Sequence, residues 1–403
     1  MKQRTLSVLV ALVGVLLGAF FPQASASDAS AWRKIGSLAP VRGMDGRMHQ
    51  ASCSGYPGTD PNFSFFTRRT RSKNLVVYFE GGGACWDSLT CTFPDAGLPP
   101  EVPQFYTPAI PPGYSPADLD GLFNLRRPDN PVRDWDMVYV PYCTGDIHLG
   151  SAQQTYQNAG HPVLPLPGQF DIRHRGYDNW MVVLDWIQRN VDAPQRILVA
   201  GSSAGGYGAS VHFPWLRKLY PQAKVNVLAD ASQGITTPAF DQSTPGRGSW
   251  NVQLPPWATD ANIEPITIPG PEVLRRGALA HPEVRVAQFT TNFDLVQIQF
   301  YGVMKAYYPP GGSCANEALD WNRQMLGAMK NDRSDLPNYR HYLAAGTYHT
   351  VLTGPEFFGE RTAGLAFNDW LAAMVGDSDW QRALRWRNLS CLGCLIQLPC
   401  RAG

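Results

Sequence analysis

A strand-like segment that leads into a serine between glycines constrains the possible folds of this chain more than any other feature of the sequence. Residues 196–208 read RILVAGSSAGGYG, and an apolar run there leads into a G-x-S-x-G pattern centred on Ser203. That pattern is typical of a nucleophile elbow when a strand precedes it and a helix follows it. A phosphate-binding loop would need Lys after the last glycine, where the chain has Tyr207. We therefore predict that Ser203 is an exposed nucleophile at a sharp turn.

Strand-like and helix-like segments alternate from about residue 74 onward. Because alternation of this kind is typical of a mostly parallel sheet with helices on both faces, we predict an α/β fold. The predicted strands are residues 74–80, 136–143, 196–201, 224–230, 284–290 and 339–345, and the predicted helices are 177–191, 204–220 and a last one near 362–374.

Two proline-rich stretches interrupt this alternation, near residues 92–135 and 238–272. Proline suits neither a strand interior nor a helix interior. Since predicted strands resume after each stretch, we interpret both as insertions in one domain that spans residues 27–403. Long loops of this kind are often lids or walls of a site, and ordered surface is the open alternative.

The N-terminus predicts export. A basic start precedes an apolar run over residues 6–21, and Ala24-Ser25-Ala26 follows as a small-residue cleavage pattern. We interpret residues 1–26 as a signal peptide, so the mature protein is expected to be secreted or periplasmic and to lack a transmembrane segment. A net charge of +1 gives no reason to expect a nucleic-acid partner.

The eight cysteines suit disulfides in an exported chain, but the sequence alone fixes no pairing. A zinc site at Cys391-x-x-Cys394 is the rival interpretation. No second C-x-x-C and no nearby His complete such a site, so no metal is predicted.

A nucleophilic serine needs a base, and the base needs an orienting acid. In this fold the chain order is Ser, acid, His. His349 follows the last predicted strand and is the expected base, whereas His341 lies inside that strand. Asp294 follows the second strand after the elbow and is the favoured acid; Asp230, at the end of the first, stays an alternative.

The predicted strand 74–80 ends in Gly81-Gly82-Gly83. Glycines have no side chains to keep a ligand away from their amides. An early strand-to-helix loop supplies part of the oxyanion hole in this type of fold, so these glycines are candidate donors. A plain flexible turn is the alternative.

Four segments carry a family resemblance: VVYFEGGGACWDSLTC, PYCTGDIHLG, GSSAGG and NFDLVQIQ, in that order. Over roughly residues 45–350 the chain resembles the pectin acetylesterase family. The resemblance implies an α/β-hydrolase fold and carboxylesterase activity without a metal or cofactor. It also implies site roles: nucleophile Ser203, acid Asp294, base His349, oxyanion donors Gly82, Gly83 and Ala204, and a Cys85–Cys91 disulfide.

The chain departs from plant members of that family at two positions. Ala84 stands where they tend to carry Trp, and Thr350 where they tend to carry Cys. We expect Trp86 to line or back the acyl pocket and keep it short, so that acetyl to butyryl esters are preferred. The expected partner is an ester substrate, and an acetylated polysaccharide such as pectin is the candidate carrier of that ester. The alternatives are a hydrolase of longer acyl esters or polyesters, and a non-catalytic binding protein on the same scaffold.

Overall fold

The computed structural model describes residues 31–95, 104–255, 264, 268–305, 314–376 and 384–391. The predicted signal peptide lies outside the described residues, as do parts of both proline-rich stretches. No helix in the described ranges is both long and apolar enough to cross a bilayer. The single-domain boundaries stay a prediction.

Fifteen strands and nine helices are described, and three short 3₁₀ turns lie at Pro116–Asp118, Gly121–Phe123 and Arg247–Trp250. The strands are β1 (Arg33–Ile35), β2 (Val41–Arg42), β3 (Met48–His49), β4 (Phe65–Arg68), β5 (Asn74–Phe79), β6 (Asp136–Val140), β7 (Ala152–Gln157), β8 (Gln169–His174), β9 (Arg196–Ser202), β10 (Lys224–Asp230), β11 (Arg285–Thr291), β12 (Tyr339–Ala344), β13 (Arg361–Thr362), β14 (Leu365–Ala366) and β15 (Leu389–Ser390). The helices are α1 (Ser88–Thr92), α2 (Gly176–Asn190), α3 (Ala204–Leu219), α4 (Pro238–Gln242), α5 (Glu272–Ala280), α6 (Leu295–Met304), α7 (Cys314–Asp335), α8 (Glu356–Gly359) and α9 (Phe367–Val375).

Nine strands form the main sheet, in the order β1-β4-β6-β5-β9-β10-β11-β12-β15. The strands from β6 to β15 in that order are parallel, and β4 and β1 extend one edge in antiparallel pairing. Parallel strands bring their carboxyl ends to one edge, and in open α/β sheets that edge is where ligands bind. Asp230 pairs in register with Ser202, and Thr291 pairs with Ala344, so the chain leaves β9 to β12 at the same edge.

Alternate residues of the central strands enter two separate cores. In β5, Leu75, Val77 and Phe79 pack with α2 and α3 on one face of the sheet, whereas Val76 and Tyr78 pack with α9 on the other. All five side chains are essentially buried. This burial on both faces explains why the strand reads as a continuous apolar run and confirms the predicted sheet covered on both sides.

Most predicted elements match, with differences at their ends. β6 ends at Val140, three residues before the predicted end, and the last predicted helix begins at Phe367 because the hairpin β13–β14 occupies the residues before it. The long helix α7 was not predicted, nor was the antiparallel pair β7–β8.

Candidate active site

The elbow lies between β9 and α3. Ser203 has φ 56° and ψ −124°, a strained conformation for a residue with a side chain, and the helix begins at the next residue. A Cβ on Gly205 would lie 1.9 Å from the carbonyl oxygen of Phe79, and one on Gly201 would lie 2.1 Å from the oxygen of Gly205. Both positions therefore require glycine, because strand and helix approach too closely for any side chain. The half-buried Ser203 is held at the tip of this turn.

His349 and Asp294 form a hydrogen-bonded pair. The Nδ1 atom of His349 lies 2.8 Å from both carboxylate oxygens of Asp294, which is fully buried. Asp294 is also the N-cap of α6 and accepts the amides of Val296 and Gln297 at 3.1 and 3.0 Å. The side-chain amide of Gln297 donates to its other oxygen at 2.9 Å. The carboxylate is thus fixed by its own helix and presents both oxygens to the imidazole.

The loops that carry these two residues are bonded to each other through the backbone. The amides of Asn292, Phe293 and Leu295 donate to the carbonyls of Ala344, Gly346 and Thr347 at 3.0, 3.2 and 3.2 Å. The hydroxyl of Thr291 donates to the carbonyl of Tyr348 at 2.7 Å. The relative position of acid and imidazole therefore follows from the pairing of β11 with β12.

The second ring nitrogen of His349 takes no part in the contact with Asp294. Its Nε2 atom is buried and has no hydrogen-bond partner in the structure, so it is not bonded to Ser203. Both residues nevertheless line the same cavities. Such catalytic hydrogen bonds are often long before substrate binds and shorten in the complex.

Asp230, the alternative acid, makes a different set of contacts. Its Oδ2 accepts the Ser202 hydroxyl at 2.6 Å and the Leu352 amide at 3.0 Å, and the Val351 amide donates to both oxygens at 3.1 Å. Burial raises its pKa to about 6. Asp230 thus ties the residue before the nucleophile to the residues just after His349, without a hydrogen bond to the imidazole.

The backbone amides of Gly82, Gly83 and Ala204 donate to no backbone carbonyl among the described residues. Gly83 has φ 72°, and a Cβ there would lie 1.9 Å from the carbonyl oxygen of Phe105, so only glycine fits. The hydroxyl of Tyr142 donates to the Gly83 carbonyl at 2.8 Å and so fixes the orientation of this peptide segment. Available amides near a serine are the arrangement that stabilises an oxyanion.

A disulfide joins Cys85 to Cys91, directly after these glycines, and this is the pairing that the family resemblance implied. The Cys85 amide donates to the Gly145 carbonyl at 2.8 Å, and the Cys85 carbonyl accepts the indole N–H of Trp250 at 2.7 Å. A second disulfide joins Cys53 to Cys143. The glycine segment is therefore covalently supported from its C-terminal side.

Trp86 lies behind the site. Its side chain is 4% exposed and packs against Phe240 and Phe300, with ring centroids 5.0 and 6.2 Å apart. Those two rings line a cavity next to Ser203, as does the small side chain of Ala84, whereas Trp86 is not one of the lining residues. Its effect on substrate binding stays a prediction.

Two cavities meet at Ser203. The inner cavity has a volume of about 80 Å³ and is mostly apolar, with walls that include Ala84, Ile147, Val273 and Met304. The outer cavity has a volume of about 420 Å³, and polar side chains line much of it. Gly83, Ser203, Val296, Phe300 and His349 border both cavities. A bound ester can therefore place its two halves in chemically different surroundings.

One group of three potential metal ligands is close together among the described residues: Cys85, Cys91 and His174. The two sulfur atoms are bonded to each other, so neither is the thiolate that metal coordination needs. His174 donates or accepts through Nε2 with the Tyr156 hydroxyl at 2.8 Å. This group is a buried packing cluster.

The fold resembles a solved α/β-hydrolase. The structure of the Wnt deacylase Notum from Drosophila superposes with a TM-score of 0.56 and 16% sequence identity, over 89% of this chain and 97% of that one. The chain is thus an α/β-hydrolase-fold protein.

The sequence comparisons identify relatives of this chain. Residues 46–244 match the model of the pectinacetylesterase family, and the chain belongs to that family. It is 25% identical to palmitoleoyl-protein carboxylesterase notum1 of Xenopus laevis over 46% of this chain, and 27% identical to pectin acetylesterase 7 of Arabidopsis thaliana over 40%. The alignments span only 35% and 37% of the length of these relatives. The matched range contains Ser203 and the glycine segment, whereas Asp294 and His349 lie beyond it.

Several residues that build the site were missed at the level of sequence. Gln297 was detectable, because Asp294-x-x-Gln297 has the spacing of a helix capping pattern. Tyr142 and the role of Asp230 in the His349 loop depend on contacts between distant segments and leave no local pattern.

Proposed function

We propose that this protein is a serine carboxylesterase. One observation carries the proposal: Ser203 stands in a strained elbow at the junction of two cavities that His349 also borders, and His349 is paired with Asp294. The three available amides support the same conclusion. Membership of the pectinacetylesterase family and the esterase names of the relatives agree with it.

The mechanism follows from the roles of these groups. The Ser203 oxygen attacks the ester carbonyl carbon and gives its proton to Nε2 of His349, while Asp294 stabilises the imidazolium. The amides of Gly82, Gly83 and Ala204 stabilise the negative oxygen of the tetrahedral intermediate. The intermediate expels the alcohol, which takes the proton from His349, and leaves Ser203 acylated. Water then attacks the acyl group, passes a proton to His349, and releases the acid as Ser203 regains its proton.

The inner cavity suits the acyl group, because its walls are mostly apolar. Its volume of about 80 Å³ is near half of the roughly 150 Å³ of an engineered apolar cavity that binds benzene. Such a space fits a chain of a few carbon atoms. We therefore propose short acyl esters, acetyl to butyryl, as substrates.

The outer cavity suits the alcohol portion. Its polar lining includes Glu80, Thr107, Thr350 and Thr353, and the Glu80 carboxylate is held by the Tyr142 amide at 3.0 Å. Hydroxyl-rich alcohols match such a surface, so an acetylated polysaccharide is the proposed class, in agreement with the family name. Two disulfides suit an oxidising compartment and support the proposal that the chain is exported.

Longer acyl chains are the second candidate, because the relatives in Xenopus and humans are named palmitoleoyl-protein carboxylesterases. A panel of acetyl, butyryl, octanoyl and palmitoyl nitrophenyl esters separates the two. Short-chain specificity predicts kcat/KM falling beyond butyryl. A rise in kcat/KM from acetyl through octanoyl esters would instead favour the longer-chain alternative. Acetate release from acetylated pectin and xylan tests the alcohol portion.

Titration with an organophosphate tests the nucleophile itself. We expect stoichiometric labelling on the peptide that contains Ser203, and none in Ser203→Ala, whose esterase activity should fall to the background. Ser202→Ala is the matched control, since it removes the neighbouring hydroxyl and should keep the label on Ser203. An unlabelled wild-type protein would favour the non-catalytic alternative.

A further inference from the structure

Two oppositely charged side chains lie in the wall of the mostly apolar inner cavity. Asp241 on α4 and Arg247 in the 3₁₀ turn Arg247–Trp250 both line it. They are 5% and 4% exposed, and Nη1 of Arg247 lies 3.5 Å from Oδ1 of Asp241. Both belong to the second proline-rich stretch, which the sequence pattern associated with a site wall.

The two oxygens of Asp241 differ in their surroundings. Oδ2 accepts the Thr236 hydroxyl at 2.7 Å and the Gly270 amide at 3.3 Å. Among the described residues, none donates a hydrogen bond to the buried Oδ1, and Nη1 of Arg247 lies 3.5 Å from it. The hydrogen bonds from Thr236 and Gly270 account for the position of Oδ2. They do not use Oδ1 as an acceptor.

Placing this pair in an apolar wall is costly. Burial raises the pKa of Asp241 and lowers the pKa of Arg247, which reflects the loss of hydration of both charges. Replacing a buried ion pair by apolar residues of similar volume is often neutral or stabilising. A cavity that bound only alkyl chains would therefore gain nothing from the pair.

The chemistry of the pair selects its ligand. Oδ1 of Asp241 is a buried hydrogen-bond acceptor, so a substituent that suits it must be a donor. A hydroxyl group is neutral, donates one hydrogen bond to a carboxylate oxygen and accepts one from a guanidinium. An unsubstituted acyl chain offers Oδ1 of Asp241 no hydrogen bond.

We propose that the Asp241–Arg247 pair is a specificity-determining subsite for acyl groups that carry a hydroxyl substituent. The inference rests on the proposed esterase function and refines its substrate class from short acyl esters to short hydroxyacyl esters. The hydroxyl donates to Oδ1 of Asp241 as the acyl chain enters the inner cavity.

Ethyl esters in a pH-stat test this without an aromatic leaving group. The pairs compared are ethyl butyrate with ethyl 3-hydroxybutyrate, and ethyl hexanoate with ethyl 6-hydroxyhexanoate. We expect kcat/KM to favour the hydroxy ester of at least one pair by roughly tenfold, the discrimination that one hydrogen bond to a buried charged group supplies. Equal or lower values for both hydroxy esters in the wild-type protein would overturn the subsite while leaving the esterase proposal intact.

A double variant assigns the preference to the pair. Asp241→Leu with Arg247→Met removes both charges together, so that neither is left unpaired, and should bring the ratio of hydroxy to plain ester close to one. Arg275→Met with Asp332→Leu removes an ion pair of 3.4 Å that lies outside the cavity and should keep the wild-type ratio.

Folding of each variant is checked by thermal melting. A folded Asp241/Arg247 double variant that keeps the full preference would assign the hydroxyl to another site and overturn the inference. If that variant does not fold, the wild-type comparison alone decides. If the wild-type protein hydrolyses no ester, the proposed function and this inference fall together.

Discussion

At the scale of single residues, two carboxylates near the imidazole of His349 differ in the groups that they contact. Asp294 contacts the imidazole itself, whereas Asp230 contacts Ser202 and the backbone after His349. We expect Asp294→Asn to lower kcat by roughly 10³- to 10⁴-fold, since an amide favours the wrong imidazole tautomer and does not stabilise its cation. Steady-state kinetics on a nitrophenyl acetate substrate measures this loss.

Asp230→Asn is the matched comparison and should have a milder effect. An amide oxygen in the place of Oδ2 keeps the hydrogen bonds from the Ser202 hydroxyl and from the Val351 and Leu352 amides. The loop that carries His349 should therefore stay in place. A larger loss for Asp230→Asn than for Asp294→Asn would reverse the assignment and make Asp230 the orienting acid.

The sequence identified some site residues and not others for physical reasons. Ser203 is marked by local backbone demands, since both flanking glycines are required by close approach of strand and helix. Asp294 and His349 follow from chain order in a parallel sheet. The Asp241–Arg247 pair has no such signal, because its members meet within an irregular segment where no periodicity relates them.

At the scale of elements, the buried strands were the most predictable part of the fold. A continuous apolar run such as β5 indicates a strand in a sheet that is covered on both faces. Helix α7 was missed although Ala318, Trp321, Met325 and Met329 are buried at helical spacing along it. In the pair β7–β8, exposed residues alternate with buried or partly buried ones, and β7 contains few apolar residues.

The two disulfides that lie wholly within the described residues join different elements and should affect different properties. Cys85–Cys91 closes a six-residue separation beside Gly82 and Gly83, whereas Cys53–Cys143 spans 90 residues and links the N-terminal region to the segment after β6. In a chain-entropy model the short loop contributes roughly 2 kcal/mol to stability and the long one roughly 4–5 kcal/mol.

We therefore expect the two double variants to rank in one order by loss of melting temperature and in the opposite order by loss of kcat. Replacing Cys53 and Cys143 by Ser should lower the melting temperature more. Replacing Cys85 and Cys91 by Ser should lower kcat more, because Gly82 and Gly83 lose their support. Calorimetry and kinetics on both variants check this, and the same order in both measurements would contradict the support assigned to the short disulfide.

The whole molecule carries buried ionisable groups that respond to pH in opposite directions. Burial raises the pKa of Asp146, Asp230 and Asp332 to about 6, so the folded state holds more protons than the unfolded state between about pH 4 and 6. These three acids favour folding as the pH falls through that range.

Buried histidines act in the opposite sense and begin to act at higher pH. Burial lowers the pKa of His148 and His174 to about 4 and of His212 to about 3, from 6.5. Between those values only the unfolded chain takes up protons, so the stability that is present above pH 6.5 is lost as the pH falls. The free energy involved grows with the difference between the folded and unfolded pKa, and His212, with a folded pKa of about 3, has the largest difference of these groups. His341, whose pKa is also lowered to about 4, adds to the imbalance.

We therefore expect the melting temperature to fall as the pH is lowered from 7.5 to 4.5, with the decline beginning near pH 6.5, before the acids can offset it. His212 is fully buried, and its ring stacks on Trp180 at 5.3 Å. His212→Phe keeps an aromatic ring there but removes one group that takes up a proton on unfolding, so its decline should be shallower than that of the wild type, even if its melting temperature at pH 7.5 is lower. Calorimetry of both proteins at one-unit pH steps measures the two slopes. A wild-type melting temperature that rises toward pH 4.5 would mean that the acids outweigh the histidines, and parallel slopes for the two proteins would remove His212 from the balance.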